Sequence, residues 1–197
     1  MRTMANFYFR YGSMGAGKSI DLLKVNHNYR EQEKNTLLFT PSVDDRYGVG
    51  KITSRIGLSE DADIVDESFN LYNYIKEYTK VGEKVFAVLV DEAQFLTKEH
   101  VIQLTKVVDE LDIPVMAFGL KNDFSNNLFE GTEALLIYAD KIEEIKTICT
   151  KESCGKKATM NLRLNNGAPV YEGKQVQIGG DESYIPVCRK HYNDYEM

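Results

Sequence analysis

The sequence predicts an α/β fold: a mostly parallel β-sheet flanked by helices, followed by a small C-terminal unit. Three observations carry this expectation. Apolar, strand-like segments alternate with helix-like ones through the first two thirds of the chain. A glycine-rich turn separates the first such strand from the first such helix. All the cysteines lie where the alternation has stopped, from residue 149 onward. A chain of 197 residues, 43% of them hydrophobic, can bury one sizeable core and still carry a small appendage. The expected division is residues 1–148 and residues 149–197.

The elements follow in order. Phe7-Tyr8-Phe9 is an aromatic run suited to a buried strand, and Ile20 to Val25 can open a helix. Asn35 to Thr40 reads as a second strand. Residues 41–57 are polar and glycine-containing, and read as a mobile loop. Phe69, Leu71, Tyr72, Tyr74, Ile75 and Tyr78 have helical spacing across residues 69–80. Val85 to Val90 is a continuous apolar run, as expected of a strand covered on both faces in a parallel sheet. Thr97 can N-cap a helix running to about Leu111. Pro114 to Phe118 is another buried strand, Glu133 to Tyr138 a helix, and Ile142 to Ile148 a strand. From Cys149 the pattern changes to short β-like pieces and turns.

Gly12-Ser13-Met14-Gly15-Ala16-Gly17-Lys18-Ser19 matches the phosphate-binding loop G-x-x-x-x-G-K-[ST] without a mismatch, and sits between strand and helix as that loop requires. Backbone N–H groups of such a loop wrap a polyphosphate, and the helix N-terminus adds partial positive charge. Lys18 can reach the β- and γ-phosphates, and the Ser19 hydroxyl can bind Mg²⁺. The Val85–Val90 run closes on Asp91-Glu92-Ala93-Gln94-Phe95. An acidic residue there is placed to hold Mg²⁺ opposite the loop hydroxyl. A second carboxylate, Glu92, can take the proton from a nucleophile attacking the γ-phosphate. If that nucleophile is water the chain is an ATPase; if it is a substrate hydroxyl the chain is a kinase. The fold expected around these motifs is that of P-loop NTPases of the RecA-like kind.

Cys149 and Cys154 bracket Thr150-Lys151-Glu152-Ser153, and Cys188 and His191 form a Cys-x-x-His pair. These spacings suit structural zinc, whose paired ligands stand about two to four residues apart. Three thiolates and an imidazole close a tetrahedron, leaving no open position for catalysis. The segment between Cys154 and Cys188 is glycine-rich and polar, and is not expected to build a core of its own. His27 and His100 lack such companions and read as ordinary surface or helix residues. The net charge of −6 argues against a surface built mainly to hold nucleic acid, and leaves a local basic groove open. No apolar run approaches the roughly 20 residues of a membrane span, and the N-terminus lacks the apolar stretch of a secretory signal. A cytoplasmic protein with reduced thiols is expected.

Together these residues resemble the zinc-containing thymidine kinases. The glycine-rich loop, Asp91 to Phe95, Gly119-Leu120 with Asp123-Phe124, Gly179-Gly180 before Tyr184, and Cys188-Arg189-Lys190-His191 follow that family's order. Asp44-Asp45-Arg46-Tyr47-Gly48 and Ser54-Arg55-Ile56-Gly57-Leu58 look nearest to its enterobacterial and phage branch. The resemblance implies ATP-dependent phosphorylation of the thymidine 5′-hydroxyl, with deoxyuridine as a possible substrate, to give dTMP and ADP in nucleotide salvage for DNA synthesis. It places Glu92 as general base. It places Lys18, Arg46 and the loop at the phosphates, and Ser19, Asp91 and Asp44 at Mg²⁺. The thymidine pocket maps onto Met14, Phe95, Leu120, Phe124, Phe129, Ile178, Gly179, Gly180 and Tyr184. It also implies structural Zn²⁺ on Cys149, Cys154, Cys188 and His191, and a lasso over the base between Cys154 and Cys188. A homotetramer and feedback inhibition by dTTP are further implications. A flat, methylated base suits an aromatic and methionine-lined slot.

The sequence departs from the family pattern at Lys121-Asn122 and Ser125-Asn126-Asn127, where arginine is common, so the charge at the rim is altered. The first cysteine knuckle is longer than the usual Cys-x-x-Cys. Asp91-Glu92-Ala93-Gln94 also resembles the DExx box of helicases, so a zinc-bearing ATPase acting on nucleic acid is the alternative. Such motors need two motor domains, and this chain has room for one. A nucleotide-binding protein without catalysis is disfavoured by the joint presence of Lys18, Asp91 and Glu92.

Overall fold

The computed structural model describes residues 4–43, 50–82, 84–175 and 182–195. The chain opens with strand β1 (Phe7–Tyr11), helix α1 (Lys18–Arg30) and strand β2 (Asn35–Pro41). Three short strands follow: β3 (Lys51–Thr53), β4 (Ser59–Asp61) and β5 (Asp63–Val65). Next come α2 (Leu71–Lys80), β6 (Val85–Val90), a 3₁₀ turn (Ala93–Phe95), α3 (Lys98–Leu111), β7 (Val115–Gly119), α4 (Glu130–Tyr138) and β8 (Lys141–Glu144). The chain ends in β9 (Met160–Asn165), β10 (Ala168–Val170), β11 (Glu182–Val187) and α5 (Arg189–Asn193).

Six strands form the main sheet in the order β5-β2-β6-β7-β1-β8, and every neighbouring pair is parallel. All six C-terminal ends therefore share one edge, where ligands bind in open α/β sheets. Strand β7 stands between β1, which feeds the glycine-rich loop, and β6, which feeds Asp91.

Both faces of the sheet are covered. Phe7, Phe9, Val88 and Val90 point into a cluster with Leu71 and Ile75 of α2, Val101, Leu104 and Val107 of α3, and Leu135 of α4. Ala87, Leu89 and Phe118 point the other way, onto Leu22 and Leu23 of α1. The period-2 alternation of a strand explains this split, and burial on both faces explains the unbroken apolar run in β6. Phe7 and Phe9 are 1% and 0% exposed; burying a side chain of that size contributes about 1.5–3 kcal/mol.

Helix α3 begins as its sequence requires, but with an addition. Thr97 accepts a hydrogen bond from the His100 backbone N–H, and His100 Nδ1 accepts one from the Thr97 N–H. Of the surface and helix readings, His100 is thus the helix residue, but a buried one that caps the helix start. His27 does lie on the surface, beside Glu31 at 3.4 Å.

Two segments differ from expectation. The segment expected as a loop over residues 41–57 carries part of a hairpin, in which β3 pairs antiparallel with β4. Ile52 anchors it, 1% exposed, in the cluster on the α1 face. Strand β8 spans Lys141–Glu144 rather than reaching Ile148, because it is an edge strand paired with β1 alone.

After β8 the chain builds a separate antiparallel sheet in the order β10-β9-β11. Leu162, Leu164, Val187 and Tyr192 form a small core with Cys149 and Cys188. The segment between Cys154 and Cys188 therefore contributes apolar side chains to a core after all. That core is completed by the cysteines themselves.

Candidate active site

The glycine-rich loop leaves the C-terminal end of β1 and enters α1 at Lys18. Gly17 makes the helix entry possible: it is the N-cap at φ 86°, a left-handed conformation that costs glycine little. Gly12 has a different reason. A β-carbon there would lie 2.6 Å from the Ile145 carbonyl oxygen and 2.9 Å from the Ala16 β-carbon. Lys18 is buried, and its Nζ donates to the Ser13 carbonyl at 3.0 Å and the Gly12 carbonyl at 3.3 Å. The cation is held inside the turn that its own backbone makes.

Asp91 stands at the end of β6, 5% exposed, and accepts a 2.8 Å hydrogen bond from Ser19 Oγ. Burial, and then the neighbouring Glu92 carboxylate, push its pKa up to about 7, while the Ser19 hydroxyl acts the other way. A buried carboxylate in this condition takes a proton or a cation. Its oxygen beside the Ser19 hydroxyl supplies the hard oxygen donors that Mg²⁺ prefers.

Glu92 adopts a left-handed conformation, φ 46° and ψ 38°, which is rare for a non-glycine residue and concentrates at functional sites. Its N–H donates to Asp91 Oδ1 at 3.0 Å. Its carboxylate accepts from Gln94 Nε2, and Gln94 Oε1 in turn accepts from the Leu120 N–H at 3.0 Å. A single buried amide thus ties Glu92 to the end of β7.

These groups open on one cleft of about 280 Å³. Met14, Gly15, Gly17, Lys18, Ser19, Asp91, Glu92 and Leu120 line it, together with Lys51, Thr53, Ser54, Arg55 and Ile56 from the β3–β4 hairpin. Ser13 and Ala16 belong to the same loop, whose Ala16 N–H bonds the Ser13 carbonyl at 3.2 Å. The other aromatic candidates form two ring pairs. Phe95 meets Phe129 edge-on at 5.5 Å, and Phe124 meets Tyr184 at 6.3 Å. Phe124 and Phe129 are buried, so each has a packing role as well as any contact with a ligand. Asp44, Arg46, Ile178, Gly179 and Gly180 lie outside the described residues.

The altered rim is a compact turn. Asp123 Oδ1 accepts from the Ser125 N–H at 2.8 Å and the Asn127 N–H at 2.9 Å, as short polar side chains do in Asx turns. Gln175 Nε2 donates to Asp123 Oδ2 at 2.9 Å, and Tyr192 donates its hydroxyl to the Phe124 carbonyl at 2.6 Å.

The Cys149, Cys154 and Cys188 sulfurs and a His191 nitrogen lie within 4.8 Å of one another. Cys149 Sγ is 3.3 Å from His191 Nδ1, Cys188 Sγ is 3.5 Å from it, and Cys154 Sγ is 4.0 Å from Cys188 Sγ. A tetrahedral zinc centre with sulfur at roughly 2.3 Å separates its ligand atoms by roughly 3.3–3.8 Å, so the four groups fit that ion. The long first knuckle is taken up by a turn in which Cys154 N–H bonds the Lys151 carbonyl, with Ser153 at φ 60°. The backbone N–H of His191, at the start of α5, draws the Cys188 thiol pKa down against opposing burial, and Cys154, Cys149 and the Lys190 N–H act in the same direction as His191. No disulfide forms among the three cysteines.

Asn161 is not legible from sequence as a site residue, yet it joins the two sheets at the glycine-rich loop. Its Oδ1 accepts from the Met14 N–H at 2.8 Å, and its Nδ2 donates to the Asn122 carbonyl at 2.9 Å. No motif singles it out; only pairing across the fold does so.

The family model for thymidine kinase matches residues 5–192. A thymidine kinase of Lactobacillus johnsonii is 60% identical over 194 residues, covering 96% of each chain. One of Enterococcus faecalis is 60% identical over 189 residues, covering 96% of this chain and 95% of its own. One of Streptococcus pyogenes is 55% identical over 194 residues, covering 98% of this chain and 100% of its own. Among solved structures, an ATPase domain matches with a TM-score of 0.44 at 18% identity, over 71% of this chain and 68% of that one. With the family model spanning nearly its whole length, the chain belongs to the thymidine kinase family.

Proposed function

We propose that this protein transfers the γ-phosphoryl group of ATP to the 5′-hydroxyl of thymidine, giving dTMP and ADP for nucleotide salvage. The observation that carries this reading is a single cleft lined by Lys18, Ser19, Asp91 and Glu92 in a chain of this family. In the proposed reaction the thymidine 5′-oxygen forms a bond to the γ-phosphorus as the bond to the ADP oxygen breaks. Glu92 accepts the hydroxyl proton. The glycine-rich loop and Lys18 hold the phosphates, and Arg46 joins them. Ser19 and Asp91, with Asp44, hold Mg²⁺, which when bound offsets phosphate charge. Met14, Phe95, Leu120, Phe124, Phe129, Ile178 to Gly180 and Tyr184 receive the nucleoside.

Two units divide this work, residues 1–148 for the phosphates and residues 149–197 for a zinc-held lasso. The separate sheet and core after Cys149 support that division. Family membership supports a homotetramer with dTTP as feedback inhibitor. Free thiols set for a metal support a reducing, cytoplasmic setting. Among the described residues, no helix is long and apolar enough to cross a membrane.

The test is thymidine-dependent ADP release, with cytidine and guanosine nucleosides as controls. Release stimulated by nucleic acid instead would favour the ATPase alternative. Glu92→Gln should keep ATP binding and lower turnover by on the order of 10²-fold or more, the scale of general-base loss. Turnover near that of the unaltered protein would remove Glu92 from the mechanism.

A further inference from the structure

Ser54-Arg55-Ile56-Gly57-Leu58 has no part in the chemistry so far, yet the fold places it on the phosphate cleft. Its turn is well defined. Ser54 N–H bonds the Leu58 carbonyl at 2.8 Å, the Leu58 N–H bonds Ser54 Oγ at 3.0 Å, and Gly57 N–H bonds the Ser54 carbonyl at 3.0 Å. Ile52, in the strand that leads into this turn, is locked against the α1 face of the core. The hairpin tip is therefore anchored at its base.

Arg55 projects from that tip. Its Nη1 lies 3.5 Å from the point where a β-carbon on Gly15 would stand, directly over the glycine-rich loop. The side chain is exposed, and no ion pair holds it among the described residues. A guanidinium beside a phosphate loop, with no carboxylate partner among the described residues, is placed for an anion. Its planar fork can give two parallel hydrogen bonds to phosphate oxygens, which a lysine cannot match. Lys18 lies inside the loop, on its own carbonyl oxygens. Arg55 stands over Gly15 instead.

We propose that Arg55 contacts the terminal phosphates of the bound nucleoside triphosphate, reaching over Gly15 from the β3–β4 hairpin. This rests on ATP as the phosphate donor. A cation at that position meets the charge on the transferring phosphoryl oxygens and lowers both the dissociation constant and the barrier.

The test uses the full-length protein with Arg55→Ala and Arg55→Lys, titrated separately with ATP, ADP and thymidine and then assayed at saturation. For Arg55→Ala the ATP dissociation constant should rise about tenfold or more, the scale of one charge-assisted contact. The ADP constant should rise less, the thymidine constant should hold, and kcat should fall. Arg55→Lys should recover part of the loss. If Arg55→Ala melts lower and weakens every ligand alike, Arg55→Gln, which keeps the stem, decides by the same ATP-to-thymidine comparison. ATP affinity and kcat equal to those of the unaltered protein would overturn the proposal. Protein that binds ATP but does not phosphorylate thymidine would refute the acceptor and leave Arg55 standing. Protein that binds no ATP would overturn both.

Discussion

At the residue scale, the most consequential contact is one that no motif announces. Gln94 holds the Glu92 carboxylate with its amide nitrogen and the Leu120 N–H with its amide oxygen. Gly119 makes room for it, since a β-carbon there would lie 2.8 Å from Gln94 Oε1. Glu92 already has a strained backbone, so its side chain needs an outside reference to stay aimed. Gln94→Leu should therefore lower kcat by on the order of tenfold to a hundredfold, the cost of a misaimed group, while the KM values for ATP and thymidine change little. Steady-state kinetics with both substrates check this; a rise in both KM values with kcat unchanged would give Gln94 a packing role only. Lys18, Ser19, Asp91 and Glu92 are legible in the sequence because their chemistry fixes local order: strand, loop, helix, and strand, acid. Asn161 and the bridging role of Gln94, which lies inside the Asp91 to Phe95 motif, are not, because each acts through a partner far along the chain that only the folded sheet brings near.

At the element scale, α3 shows how much a sequence can specify and where it stops. The span from the Thr97 cap to Leu111 is written in a cap residue and a helical apolar stripe. The role of His100 is not, since it depends on the imidazole turning back onto the Thr97 N–H. Burial lowers the His100 pKa, against the Phe69 backbone and the charges of Asp66, Glu99 and Glu130, which act to raise it. The folded protein thus holds a neutral imidazole below the usual value of 6.5, where the unfolded chain has begun to bind a proton. Its contribution is whole above pH 6.5 and is lost as the pH falls through the lowered folded value. Urea midpoints should drop from pH 7.5 towards pH 5.5. His100→Gln should cost about 1 kcal/mol at pH 7.5, the worth of a cap, and flatten that acid dependence. An equal acid slope in both proteins would exclude His100 as its source. The β3–β4 hairpin is illegible in the sequence for a physical reason: in segments so short, only Ile52 is buried, and one apolar residue makes no alternation.

At the scale of the whole molecule, the strand order β5-β2-β6-β7-β1-β8 brings the ends of β1, β6 and β7 to one edge. Sequence could supply those strands apart from the short edge strand β5, but not their neighbours, because strand order is set by crossovers. The second sheet matters to the first through a short list of bonds. Asn161 on β9 holds the Met14 N–H, Gln175 holds Asp123, and Tyr192 holds the Phe124 carbonyl. What keeps that sheet in place is a small core completed by Cys149 and Cys188, whose sulfurs face Cys154 and His191. Three thiols crowded around an imidazole repel once ionised unless a cation sits among them, so a metal bound there would stabilise the core that the cysteines complete. About one zinc per chain is therefore expected by elemental analysis. Cys188→Ser should lower zinc content and thermal stability together, and should raise the thymidine dissociation constant more than that for ATP. The reason is the route of coupling: Met14, Asp123 and Phe124 are tied to the segment that carries the cysteine and histidine cluster, whereas Lys18 and Ser19 are fixed by α1 and Asp91. Paired titrations with the two ligands separate these outcomes. Zinc-free protein that stays folded and binds thymidine normally would break the link between the metal and the nucleoside site, leaving the cysteines as ordinary core residues.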